Sequence, residues 1–95
     1  MRVAQGDLPG ALEAFEVSLA IARDLAARDK GNAGWARDVI VSLAKLAGAD
    51  PERAADYWAE AAQRVADMAA RGVLAPQDQW MLEATRANLA AVRGR

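Results

Sequence analysis

Two pairs of carboxylates are the side chains in this sequence best spaced for chemistry. Glu13 and Glu16 stand three residues apart, and Asp56 and Glu60 stand four apart. On a helix, either spacing puts both acids on one face. Such a pair can hold a divalent cation or divide general acid and general base between its members. Nothing in the chain completes a site around them. It contains no histidine and no cysteine, which removes the commonest general base and metal ligand and all thiolate chemistry. Ser18 and Ser42, the two serines, lie on alanine-rich stretches with no base to activate them. The "GDLPG" of residues 6–10 is too short and too acidic to cradle a phosphate, and it reads as a turn. Paired acids are more often a solvated helix face. The expectation is therefore no catalysis, no metal and no cofactor.

The elements that would carry these residues are helices. Of 95 residues, 54% are hydrophobic and 26% charged, and alanine alone supplies 25. Alanine is the best helix former. The aromatic share is 5%, yet three of those five residues are tryptophan, each able to bury ~150–250 Å². Leu8, Leu12, Phe15, Leu19 and Ala22 recur at helical spacing, behind Asp7 as an N-cap and ahead of Gly31 as a terminator. A second helix is predicted from about Asn32 or Gly34 to Ala47, with Trp35, Val39, Leu43 and Leu46 as its seam. Asp50-Pro51 reads as N-cap and first helical residue of a third helix that runs to about Arg71. Pro76 can start a fourth, which carries Trp80, Ala84, Leu89 and Val92. Nothing reads as a strand.

Net charge is -1, and the isoelectric point is 5.3. Lysines and arginines are interspersed with acids, without the basic stripe that phosphate backbones need. No stretch approaches ~18 consecutive apolar residues, and mean hydropathy is -0.07. Neither a nucleic acid nor a membrane is expected as partner. A cysteine-free chain fits a reducing cytoplasm.

The sequence also repeats itself. Shifting residues 4–29 by 43 places Asp7 on Asp50, Ala11 on Ala54 and Phe15 on Trp58. It places Asp24 on Asp67 and Arg28 on Arg71 as well. "WARDVIVSLAKLAG" (35–48) and "WMLEATRANLAAVRG" (80–94) echo one another with one inserted residue. A helix pair cannot bury its apolar faces without neighbours, so the expected fold is an all-α array of helix pairs.

The internal spacing resembles the tetratricopeptide repeat family. "GDLPGALEAFEVSL" is similar to the second-helix signature of that family, with small residues at Ala11 and Ser18 and an aromatic at Phe15. In the second copy Ala54 and Ala61 hold the small positions and Trp58 the aromatic one. The period exceeds the ~34 residues usual for the family and resembles its long-helix variant, as in kinesin light chain and bacterial multi-repeat proteins. The signature departs from the pattern at Ala49-Asp50 and is absent from the fourth helix. On this reading residues 1–95 are one domain of antiparallel helix pairs in an α-α superhelix. It comprises about four helices and an N-terminal half-helix stub, with 1–29 a partial repeat, 34–72 a second repeat and 76–93 a capping helix.

The resemblance implies a non-catalytic protein–protein interaction module, a scaffold element within a larger bacterial protein. It implies a concave groove lined by Arg37, Asp38, Ser42 and Lys45 of the second helix and by Arg86 and Asn88 of the last, holding a protein or peptide. The alternative is a self-assembly element: Leu8, Leu12, Phe15 and Leu19, lacking a preceding helix, would pack on another copy as a homodimer. A buried packing role is expected for Trp58 and Trp35. Trp80, at a helix start, is equally suited to core and to partner contact.

Overall fold

The computed structural model describes residues 8–94, with side chains from Gly10 onward, so Asp7 and the half-helix stub lie outside the described residues. The described residues form four helices: α1 (Leu8–Arg28), α2 (Ala33–Ala49), α3 (Ala54–Ala70) and α4 (Trp80–Arg93). A single 3-10 turn, Pro76–Asp78, precedes α4. No strand occurs among the described residues. The fold is all-α, as the periodicity requires.

The ends of the helices follow local chemistry. Asn32 caps α2, its Oδ1 accepting from the backbone N–H of Gly34 at 2.9 Å and of Trp35 at 3.2 Å. Gly72 closes α3 at a φ of 73°, the left-handed conformation that a Cβ disfavours. The Val73 N–H then reaches back to the Met68 carbonyl at 3.0 Å, satisfying a carbonyl of the last turn.

Two predicted starts move. Asp50 is not an N-cap: it ends α2, its N–H donating to the Leu46 carbonyl at 2.8 Å. Residues 51–53 form a tight turn, in which the Ala54 N–H donates to the Pro51 carbonyl, and α3 begins at Ala54. Pro76 likewise opens the 3-10 turn rather than α4. Proline fixes φ for either kind of turn, so its presence marks the start without choosing the helix type.

Each helix packs on its neighbours in the chain, α1 on α2, α2 on α3 and α3 on α4. Helix α4 does not return to α1 as it would in a closed bundle. The stack measures 42 × 33 × 20 Å. Its core is one cluster in which Val39, Leu43, Leu46 and Val65 are fully buried and Ala54 and Ala61 admit close helix approach. Phe15 and Trp58 are half-buried against that cluster.

Side-chain bridges show which helices meet laterally. Arg23 of α1 pairs with Glu60 of α3, and Glu16 of α1 accepts from Arg53 at 3.3 Å and from the Tyr57 hydroxyl at 3.5 Å. Arg37 of α2 pairs with Asp78 at the start of α4 at 3.1 Å. Helices α1 and α3 thus form one layer, and α2 and α4 the other. The repeat extends to its charges: Asp24–Arg28 closes the last turn of α1 at 3.0 Å and Asp67–Arg71 that of α3 at 3.3 Å.

Candidate partner-binding groove

Because α2 and α4 lie side by side with α3 behind them, a trough runs between them. Ile40, Val41 and Ala44 form one wall, Met81, Ala84 and Thr85 the other, and Trp58 of α3 the floor. Its volume is 380 Å³ and its lining is overwhelmingly apolar. The walls span residues 37–45 and 80–88, about 12 Å at 1.5 Å per residue. That is two helical turns, enough for a few side chains of a partner.

Each end carries polar groups. At the N-terminal end Asp78 is 8% exposed and its carboxylate accepts from Arg37 Nε, which ties the two walls together. Trp80 stands at the rim, 61% exposed. At the other end lie Lys45 and Asn88. Thr85, although buried in the wall, donates its hydroxyl to the Met81 carbonyl at 2.7 Å, so it presents no unsatisfied polar atom.

The six groove residues expected from sequence separate. Arg37, Lys45 and Asn88 line the trough. Asp38 and Ser42 face a second, shallower hollow between α1 and α2, shared with Ser18, Ile21 and Trp35. Val41 and Lys45 border both hollows, so the α2 surface is continuous between them. Arg86 is exposed and lines neither. Sequence reasoning did not find Asp78, whose partner Arg37 lies 41 residues away. Its flanking glutamines give no local signal.

The face expected to be open on the first helix also differs. Leu19 is buried, Leu12 and Phe15 are half-buried against the core, and the Leu8 side chain lies outside the described residues. Among the described side chains, the large apolar residues that α1 exposes are Val17 at 54% and Ile21 at 56%. Ser18 between them is exposed, whereas its repeat equivalent Ala61 is fully buried. The difference is coverage: among the described residues α3 has a helix on each side, and α1 only α2. Ala11, half-buried, pairs in the same way with the buried Ala54.

The carboxylate pairs do not form a site. Glu16 and Glu60 are engaged by the basic side chains described above, and Glu13 and Asp56 are exposed. Among the described residues no three acids gather as a metal site would need, and no helix is long and apolar enough to cross a membrane. Comparisons with protein-family models, curated proteins and solved structures return no match for this chain.

Proposed function

We propose that this chain is a non-catalytic protein-binding module of tetratricopeptide type, a scaffold element of a larger cytoplasmic bacterial protein. It takes an apolar peptide segment between α2 and α4. The observation that carries the reading is the apolar trough over Trp58 with Trp80 exposed at its rim. Surface clefts of this size usually hold a ligand's apolar side chains, with a few polar groups setting orientation. Tryptophans that are half-exposed in the free protein are frequent anchors of partner binding.

The test is selection of displayed random peptides on the immobilised chain. Enriched peptides are expected to carry bulky apolar residues, and to lose at least about ten-fold in affinity, ~1.4 kcal/mol, for Ala84→Arg, which fills the trough. Ala87→Arg, on the exposed side of α4, should bind as the parent does. Failure to enrich any peptide, or equal binding to Ala84→Arg, would contradict the reading.

A second reading, self-assembly, is favoured by Val17 and Ile21. Two large apolar side chains on adjacent turns, more than half exposed, form the kind of patch that marks an interface. Sedimentation velocity separates the two readings. An assembly element shows a concentration-dependent dimer that Ile21→Glu abolishes, and a binding module stays at 10.1 kDa throughout.

A further inference from the structure

Four of the twelve basic residues that the sequence scatters among acids line one cleft. It opens between α1 and α3, in the layer away from the trough, with a volume of 450 Å³. Arg23, Lys30, Gln63, Arg64, Asp67 and Arg71 supply its polar lining, over a floor that includes Ala26 and Met68. Four of those six are cations, two from the α1 side and two from the α3 side.

Their charge is only partly answered. Arg23 and Arg64 share the single carboxylate of Glu60, which accepts from Arg23 Nε at 3.0 Å and Arg64 Nε at 2.7 Å. Arg71 divides its guanidinium, donating to Asp67 at 3.3 Å and to the Lys30 carbonyl at 2.7 Å. The Lys30 ammonium has no carboxylate within 4.0 Å among the described residues. Four cations therefore face two carboxylates, in a chain whose net charge is -1.

Three of the cations are held by these bonds before any ligand arrives, which reduces the ordering that binding would require. Arginine's planar set of donors matches the oxygens of a phosphoryl group, and lysine adds a point charge. A carboxylate ligand would neutralise one of the two excess charges; a phosphomonoester dianion would neutralise both. We infer that the cleft formed by Arg23, Lys30, Arg64 and Arg71 binds the phosphoryl group of a phosphomonoester.

The experiment is an NMR titration of the full chain, following backbone amides and arginine Nε–H signals. One probe is N-acetyl-O-phosphoserine amide, and the other a short Gly-Ala peptide with a central phosphoserine. Saturable shifts are expected at Lys30, Arg64 and Arg71 with both, and with neither serine counterpart. Tighter binding of the peptide assigns the natural source to a phosphorylated protein, and equal binding assigns it to a small phosphomonoester. Because the second phosphate pKa is about 6, affinity should rise from pH 5 to pH 7.5 as the dianion forms.

Lys30→Gln removes no ion pair of the described residues and should weaken binding about five-fold, the size of one near-surface charge contact. Lys30→Gln with Arg64→Gln should weaken it at least ten-fold, with the helical circular dichroism retained. Shifts spread equally over Arg86 and Arg93, undiminished in Lys30→Gln, would overturn the inference, as would no saturable shift.

Discussion

At the scale of single residues, the fold rests on a few polar contacts that join distant parts of the chain. Asp78 is the most consequential. Its buried carboxylate holds Arg37 across the end of the trough, so Asp78→Ala removes a charged hydrogen bond and loosens both walls. A loss of about 1–3 kcal/mol is expected by urea denaturation. Glu60 gives a pH dependence with a definite sign. Partial burial pushes its carboxyl up, but hydrogen bonds from Arg23 and Arg64, with their charges, outweigh this and hold it below 4.5. The folded chain thus binds that proton more weakly than the unfolded chain does. The stabilisation is complete above the unfolded pKa and is lost as pH falls through the lower, folded one. Urea denaturation from pH 6 to pH 3 should show stability falling below about pH 4.5, with less of a fall in Glu60→Gln. Glu60 and Arg64 stand at the i,i+4 spacing of a helical ion pair. Arg23–Glu60 and Arg37–Asp78 were not legible in the sequence, because they join residues 37 and 41 positions apart. A signal did exist. Arg23 and Arg64, like Lys30 and Arg71, recur at a spacing of 41, close to the repeat.

At the scale of elements, the sequence was most informative. Helical spacing of apolar residues located all four helices, and Asn32, Gly72 and Arg71 closed their ends much as their types require. Boundaries after proline were harder to read, since Pro51 and Pro76 each start a tight turn before the helix proper. The Asn32 cap is a direct test of this level: Asn32→Ala, which leaves the Gly34 and Trp35 N–H groups without their acceptor, should cost about 1 kcal/mol. The comparison of α1 with α3 shows what periodicity alone omits. Both helices carry the same pattern, yet Ser18 is exposed where Ala61 is buried, because coverage by neighbours is a property of the stack. For the same reason the open face of α1 is Val17 and Ile21, one side of the helix away from the buried Leu19.

At the scale of the whole molecule, stability comes from consecutive helix interfaces sharing a single core. Leu43 is fully buried on α2, the helix that packs on both α1 and α3. Leu43→Ala should therefore destabilise the entire stack, by about 2–5 kcal/mol, in one cooperative transition. The layered arrangement also creates the trough, whose walls come from residues some 40 positions apart. The family resemblance implied a groove on α2 and the last helix, and of the six residues named for it Arg37, Lys45 and Asn88 line the trough. Its floor at Trp58 was read as core alone, because packing against the core does not reveal which ring edge stays open. The measurement that tests the proposed function most directly is an amide and indole chemical-shift map of the chain with a peptide selected on it. The expected map centres on Val41, Ala44, Ala84, Asn88 and the Trp80 indole, and vanishes in Ala84→Arg. A map centred on another surface, or one unchanged by Ala84→Arg, would contradict a binding role for the groove between α2 and α4.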